Sequence, residues 1–247
     1  MWSRTELKTN AKTAIKRYYW VAVAVCIVYT VVSGMQTGFL TADQITKIVS
    51  QFGIQSAQDI AELTKSYEMW TSIIGLLVMI FVFNPIIVGA NRYFMESRSF
   101  KSSFKSLFFA FKGGRYIKIV KVMLIRDAKI LLWTCLFIVP GLIKTYEYHF
   151  IPYLLAENPD LTTQRYFEIT KSMSNNEKFN IFVLELSFFG WNILGALTCG
   201  IGFIFLRPYI YATYAELYAV MRAKMFTMDL ANAGELPDFL PPAAPQL

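Results

Sequence analysis

The sequence predicts an all-α fold: a polytopic transmembrane helical bundle of about six membrane passes, accompanied by interfacial amphipathic helices. Three observations support this prediction. The 247-residue chain is 55% apolar and only 17% charged, which leaves too little polar surface for a water-soluble domain. Uncharged stretches recur at the length of a bilayer span. The 24 basic residues, which outnumber the 17 acidic ones, flank those stretches.

Residues 1–19 predict a basic amphipathic helix on the inner leaflet. Ser3 and Glu6 have the spacing of a capping box at its start. Basic residues then recur at intervals of four and share one face, next to a face of apolar residues. The basic residues of this face are Arg4, Lys8, Lys12 and Lys16. This combination is typical of a helix that lies in the plane of a membrane surface.

The transmembrane bundle is predicted over residues 20–222. Two stretches, 18–42 and 69–91, contain no charged residue and each exceeds the about 20 residues that span a bilayer. The last apolar block, 179–221, is about twice that length. We therefore expect it to fold back on itself, and the glycine-containing segment 199–202 is the most flexible place for the turn.

Residues 130–156 are harder to interpret because charges interrupt them. Pro140 and Gly141 favour a bend or hairpin, so the segment is either one kinked helix or two short ones, partly re-entrant or shielded by other helices. Charge distribution favours two passes, which give six in total with both termini in the cytoplasm. In that topology all but four of the 24 basic residues lie on the cytoplasmic side. The exceptions are Lys47, Lys65, Lys144 and Arg207.

Interfacial helices are predicted around residues 100–129 and 161–174. In the first of these regions, five basic side chains fall within a sector of roughly 140° on one helix face. They are Arg115, Lys118, Lys121, Arg126 and Lys129. Two interpretations remain open: a solvated positive flank, or a site for anionic lipid headgroups or an acidic amphiphile. Nucleic acid is not an expected partner, because the aromatic residues here have the spacing for burial in lipid.

Three ionisable residues lie at depth in the last apolar block, namely Glu185, Arg207 and Glu216. Charges inside a membrane are costly and therefore mark functional candidates. If the block turns near residue 200, the two carboxylates lie at similar depths and share a proton in a relay. The alternative is that Glu185 is hydrogen-bonded to Tyr or Trp of a neighbouring helix and fixes helix register. Arg207 is expected near the outer interface.

Glu147 and His149 lie beside the Pro140-Gly141 break, where discontinuous backbone in transporters often binds substrate. The alternative places both at the outer surface. A single histidine cannot supply a histidine cluster, and three cysteines without C-x-x-C spacing provide no zinc site. We therefore expect no metal and no cofactor. The three cysteines are interpreted as small buried hydrophobic residues.

The segment 223–247 is interpreted as a flexible, proline-rich tail. Gly34 and Gly38 form a G-x-x-x-G spacing in the first span, which is compatible with a homo-oligomer. A partner that is a different membrane protein remains the alternative to a homo-oligomer.

Several motifs after residue 139 occur in a recognisable order. They are Val139-Pro140-Gly141-Leu142-Ile143-Lys144, Pro152-Tyr153-Leu154-Leu155-Ala156-Glu157-Asn158-Pro159, Lys171-Ser172-Met173, Thr198-Cys199-Gly200-Ile201-Gly202 and Pro208-Tyr209. In these motifs the chain resembles the bacterial integral membrane proteins grouped as domain of unknown function 975. The resemblance implies a polytopic protein of the bacterial inner membrane, and it implies no catalytic residues.

No nucleotide-binding, hydrolase or metalloprotease motif occurs, so an enzyme is not expected. The leading hypothesis is a non-enzymatic membrane protein that engages anionic lipid or an amphiphilic peptide through its basic cytoplasmic face, in envelope homeostasis, export or self-protection. The alternative is a small secondary transporter or channel that uses its intramembrane carboxylates.

Overall fold

The computed structural model describes residues 2–16, 18–34, 57–99, 102–198 and 201–237, and every regular element within these ranges is helical. In chain order the α-helices are α1 (Arg4–Lys16), α2 (Tyr19–Gly34), α3 (Ala57–Val78), α4 (Asn84–Ser97), α5 (Tyr116–Leu136), α6 (Ile138–Glu147), α7 (Ile151–Glu157), α8 (Thr163–Ser174), α9 (Lys178–Leu186), α10 (Phe189–Leu197) and α11 (Ile201–Thr227). A π-helical turn, Met79–Phe83, joins α3 to α4, and a 3₁₀ helix, Phe104–Phe111, precedes α5. The predicted all-α class is confirmed.

Two helices of the described residues are long and apolar enough to cross a membrane. They are Lys65–Ser97, which combines α3 and α4, and Lys178–Leu197, which combines α9 and α10. The apolar helix Tyr19–Thr30 is shorter. These helices agree with a membrane protein, whereas the predicted number of six passes is not confirmed.

The core forms where α4, α7, α8 and the second half of α11 meet. Helix α7 is buried over its whole length, and large side chains such as Tyr93, Tyr166 and Tyr218 are enclosed around it. The apolar residues that sequence analysis assigned to the second half of block 130–156 are therefore covered by protein. Close packing of these side chains stabilises the part of the molecule that positions the buried charges described below.

The first half of that block forms a helical hairpin. Helices α5 and α6 pack against each other and are separated by a single extended residue, Phe137, with φ −155° and ψ 142°. The reversal lies three residues before the Pro140-Gly141 step where a break was predicted. Gly141 instead lets the two limbs touch, because a Cβ at this position would lie 2.7 Å from Cα of Thr134.

The helices on either side of the predicted reversal near residues 199–202 are described. Helices α10 and α11 pack together on either side of it, and a Cβ on Gly202 would lie 2.9 Å from Cα of Gly195. Residues 199 and 200, and with them Cys199, lie outside the described residues, as does Gly38 of the predicted G-x-x-x-G pair. The preceding helix contains a break that the sequence did not predict, at Ser187 and Phe188 between α9 and α10.

Helix α1 packs against α11. Leu7, Ala11 and Ile15 on its apolar face are buried, so this face contacts protein where sequence analysis expected lipid. Trp2 donates from its indole Nε1 to Glu177 at 3.0 Å and ties the start of the chain to the turn before α9. In the basic row beside this face, Arg4, Lys12 and Lys16 are exposed as predicted.

The C-terminal segment is more ordered than its proline content predicted. Helix α11 continues to Thr227, and Arg165 Nε donates to Glu235 at 2.7 Å. The Arg222 guanidinium also donates to the carbonyl of Leu236. The segment 228–237 therefore folds back onto α8 and α11, and the predicted flexible tail does not begin at residue 223. Residues 238–247 lie outside the described residues.

Candidate functional site

The predicted basic face of α5 is divided by the tertiary structure, and its outer part points away from the core. Lys118 and Lys121 are exposed, and Lys118 Nζ pairs with Asp160 at 2.7 Å. Arg115 is half-buried, with its guanidinium 5.0 Å from the centre of the Phe109 ring. An exposed ion pair adds little to stability, so another anion can easily replace Asp160 as the partner of Lys118.

Arg126 of the same face turns towards the protein, whereas Lys129 stays exposed. Arg126 pairs with Asp127 at 3.2 Å, and Asp127 also accepts a hydrogen bond from Asn84 Nδ2 at 2.8 Å. Lys129 Nζ lies 3.7 Å from the centre of the Phe167 ring. The five basic residues therefore do not form one continuous anion-binding surface, because Arg126 is half-buried and paired with Asp127 of its own helix, and Lys129 lies over the Phe167 ring of α8.

A groove with a basic rim lies where α1, the start of α2 and α11 meet. Its volume is about 600 Å³, and it is lined by Lys12, Ile15, Lys16, Tyr19, Trp20 and Tyr209. Lys12 Nζ lies 5.6 Å from the centre of the Tyr209 ring, and the Trp20 side chain, 74% exposed, forms the opposite rim. Exposed lysines beside Trp and Tyr are typical of a membrane–water interface.

The charges of the basic row of α1 create a positive potential near this groove, and they repel one another. Lys8 Nζ lies 4.3 Å from the Phe188 ring, and both burial and the neighbouring charges of Arg4 and Lys12 lower the pKa of Lys8 below its ordinary value. A row of cations that depresses the pKa of one member has excess positive charge, and a bound anion would relieve this repulsion.

Glu147 is buried between two lysines. Its carboxylate accepts hydrogen bonds from Lys144 Nζ at 2.7 Å and from Lys178 Nζ at 2.9 Å. Its backbone carbonyl accepts from the hydroxyls of Thr170 and Ser174 on α8. Sequence analysis left open whether Glu147 lies at a substrate site or at the outer surface. The structure places it in an ion-paired junction of α6, α8 and α9.

Glu185 belongs to a cluster of aromatic hydroxyls. Tyr146 Oη donates to its carboxylate at 2.6 Å, and the Tyr214 hydroxyl of α11 lies nearby. His149 packs its ring against Tyr153 and Tyr214, and its Nε2 has no hydrogen-bond partner among the described residues. Sequence analysis gave a hydrogen bond to Tyr or Trp of a neighbouring helix as one alternative for Glu185, and the bond from Tyr146 is such a contact.

Glu216 lies elsewhere. It is buried and pairs with Arg98 at 2.8 Å, just after α4. Tyr214 and Glu216 are two positions apart on α11, so their side chains point to nearly opposite sides of the helix. The structure therefore does not bring Glu185 and Glu216 together, and the proposed sharing of a proton between them does not agree with this arrangement.

Arg207 borders a second cavity. The guanidinium donates to Thr30 Oγ1 at 2.9 Å, and the cavity beside it measures about 450 Å³. Its lining is mainly aromatic and is formed by Tyr29, Phe83, Asn192, Phe203, Arg207, Ile210, Tyr211 and Tyr214. Tyr214 thus connects this cavity with the Glu185 cluster.

Sequence reasoning missed a buried ion pair between α7 and α11. Glu157 and Arg222 are 2.7 Å apart, and Tyr218 Oη donates to the same carboxylate at 2.5 Å. Arg222 was counted only as a cytoplasmic positive charge. The one available signal was the position of Glu157 at the end of the apolar run Pro152–Ala156, where a buried acid needs a partner.

Two further carboxylates lie outside the apolar segments and hold the ends of the chain. Burial disfavours the charged form of Glu177, but hydrogen bonds from Asn180, Lys224 and Trp2 outweigh it and lower its pKa below the ordinary value. The Arg165 hydrogen bond lowers the pKa of Glu235 in the same direction. Both carboxylates therefore stabilise the fold when ionised, and this contribution is lost as the pH falls through their lowered pKa values.

No three His, Cys, Asp or Glu side chains in the described part of the chain lie close enough together to hold a metal ion.

Together these features define an all-helical protein with candidate membrane-spanning helices and a basic, aromatic-rimmed groove. The family model described as a protein of unknown function (DUF975) matches residues 137–225, which confirms the resemblance over that part of the chain. The match runs from the start of α6 to residue 225 in the last turns of α11, and it includes Glu147, Glu157, Glu185 and Arg222. No curated protein and no solved structure matches the chain.

Proposed function

We propose that this chain is a non-enzymatic, multi-pass protein of the bacterial inner membrane that binds anionic lipid headgroups or an amphiphilic peptide at its cytoplasmic basic surface. It would act in envelope homeostasis, export or self-protection. The two candidate spans support the membrane location. The gathering of Lys and Arg outside the apolar stretches supports a cytoplasmic position for both termini.

The groove of Lys12, Lys16 and Trp20 is the observation that carries this proposal. Two ammonium groups at its rim suit a phosphate-bearing headgroup, while Trp20 and Tyr209 contact the glycerol and upper acyl chain. The exposed Lys118 and Lys121 add a second positive patch that attracts anionic lipid without enclosing it. Arg126 and Lys129 are assigned a structural role, because protein groups already engage them.

Reversing both groove charges, Lys12→Glu with Lys16→Glu, is expected to weaken binding of phosphatidylglycerol at least about 30-fold, since each lysine near an anionic surface contributes about 1 kcal/mol. Binding is measured in mixed micelles on the full chain by titration with phosphatidylglycerol, using phosphatidylcholine as the uncharged comparison. The change in tryptophan fluorescence on titration provides the signal, since Trp20, one of the five tryptophans, lines the groove.

The matched control carries the same change of charge on exposed lysines of another surface, Lys105→Glu with Lys112→Glu. We expect this control to lose only the small part of the affinity that depends on overall charge. Equal losses in both double variants would mean that the protein attracts anions non-specifically, and the groove would no longer be a site.

A second candidate function, a small transporter or channel, is favoured by the 450 Å³ cavity beside Arg207. Tyr214 lines that cavity and its hydroxyl lies near Glu185, so a protonatable group lies close to the open volume. The pathway would use Glu185 and His149. Glu147 and Glu216 are engaged in ion pairs and would hold the helices in place.

For this alternative, Glu185→Gln is expected to abolish proton-coupled flux in proteoliposomes, because glutamine cannot bind or release the proton. Flux is followed with a pH-sensitive dye trapped inside the vesicles. Glu168→Gln, the same change on the exposed surface of α8, serves as the control and should leave flux intact. Flux that persists in Glu185→Gln would rule out this route.

A further inference from the structure

The hairpin formed by the end of α5 and the start of α6 stands out from the rest of the molecule. We call residues 130–143 the apolar hairpin. Its turn consists of Phe137 alone, whose amide donates to the carbonyl of Trp133 at 3.0 Å. The amide of Gly141 donates back to the carbonyl of Phe137 at 3.2 Å. These two bonds pair both the amide and the carbonyl of Phe137 within the chain, which favours insertion of the turn residue into hydrocarbon.

Apolar side chains are exposed on all sides of this hairpin. Leu132, Phe137 and Ile138 are 72%, 67% and 73% exposed. Further exposed apolar residues on the two limbs are Leu131, Trp133, Leu136, Val139, Leu142 and Ile143. A partner protein would cover one side of such a hairpin, whereas exposure of apolar groups all round it matches immersion in acyl chains.

The hairpin is too short to cross a membrane. From Lys129 to Phe137 the first limb rises about 12 Å, and from Phe137 to Lys144 the second limb rises about 10 Å, against roughly 30 Å of bilayer hydrocarbon. Its apolar tip therefore ends inside the bilayer.

Charged groups mark the base of both limbs. The Lys129 ammonium lies over the Phe167 ring, and Lys144 pairs with Glu147, which also pairs with Lys178. These contacts tie the base to α8 and α9, so the hairpin cannot move deeper without breaking buried ion pairs. Lysines at the base also place it on the cytoplasmic side by the positive-inside rule.

We propose that the apolar hairpin is a wedge that inserts into the cytoplasmic leaflet alone and makes the protein respond to the curvature of the membrane. Its occupant is the acyl-chain layer of that leaflet. Apolar volume added to one leaflet and not to the other is best accommodated where that leaflet bends outwards and its headgroups are spread. The proposal requires the membrane location, but it does not require the Lys12 groove to bind anionic lipid.

Cys135 provides a natural probe of depth, because its exposed thiol lies two residues before the tip. In the full chain with Cys26→Ala and Cys199→Ala, Cys135 is labelled with a small fluorophore and reconstituted in phosphatidylglycerol–phosphatidylcholine vesicles. Nitroxide near the bilayer centre is expected to quench it more than nitroxide at the headgroup. A membrane-impermeant maleimide should fail to label Cys135 from either side of sealed vesicles.

Three results would overturn the wedge. Labelling from the extracytoplasmic side would show that the hairpin crosses the membrane, and labelling from the cytoplasmic side would place it in water. Efficient Cys135–Cys135 disulfide formation together with weak quenching would show that a second copy of the chain covers the hairpin. Each of these results leaves the groove experiment with Lys12 and Lys16 unaffected.

The curvature response is tested by the density of fluorescent protein on single vesicles of different diameters. The native chain is expected to be several-fold denser per unit area on the smallest vesicles than on the largest, when its cytoplasmic side faces outwards. Leu132→Ser with Ile138→Ser should remove this preference. Ile117→Ser with Leu197→Ser is the matched control, since those side chains are 76% and 75% exposed and lie outside the hairpin. Equal density of the native chain on all vesicles would refute the proposal.

Discussion

Replacing Glu157 by glutamine is expected to lower the free energy of unfolding by about 3–5 kcal/mol, the cost of breaking a buried ion pair by removal of one partner. The Glu157 side chain is fully buried, and Arg222 beside it is only 6% exposed. A guanidinium cannot lose its proton to escape the unfavourable environment, so the positive charge stays buried without its counter-charge. The measurement is equilibrium unfolding in mixed micelles, followed by circular dichroism.

The matched control for Glu157→Gln is Asp160→Asn, which removes one charge from the exposed pair of Asp160 with Lys118. Water replaces the lost interaction there, so the free energy of unfolding should fall far less than in Glu157→Gln. If both variants were equally stable, the contact of α7 with α11 would not depend on the ion pair, and packing of Tyr218 and its neighbours would carry it alone.

Gly89→Ala is expected to destabilise the protein by about 3 kcal/mol, the upper end of the range for overpacking. The added methyl group would overlap the backbone carbonyl of Leu107, whose carbon atom lies 2.6 Å from the ideal Cβ position. A backbone group cannot rotate away as a flexible side chain does, so α4 and the 3₁₀ helix must separate. Unfolding in mixed micelles again provides the readout.

Gly190→Ala makes the same chemical change at a helical position with no atom within 4 Å of the added Cβ. Alanine favours helix by up to about 1 kcal/mol relative to glycine, so this variant should be as stable as the native chain or slightly more stable. Destabilisation equal to that of Gly89→Ala would mean that the close contact with Leu107 does not determine the result.

The local parts of the candidate site could be predicted. The row of basic residues on α1 was evident from a spacing of four, and the structure keeps Lys12 and Lys16 exposed. The part of the groove that could not be predicted is Tyr209, which comes from α11, far along the chain. No periodicity within one segment can predict that a distant helix will supply the opposite wall.

On the basic face of α5, helical periodicity did not predict the outcome. Helical periodicity places Arg126 in the same sector as Lys118, yet Arg126 turns inwards to Asp127 while Lys118 stays in solvent. The Arg126 position lies at the edge of that sector, where a neighbouring helix can cover it. A prediction from helical angle alone assumes that no other helix packs against α5. That assumption fails, because α4 packs against α5.

Composition and hydrophobic pattern by themselves determined the helical class and the apolar segments, and the motifs after residue 139 carried the family resemblance, because each depends on residues close together in the chain. Only the tertiary structure decided which charges meet and how far the apolar hairpin reaches. Both outcomes depend on contacts between segments that are distant in sequence, such as Glu157 with Arg222, and on a reversal confined to Phe137, whose side chain alone carries no turn signal.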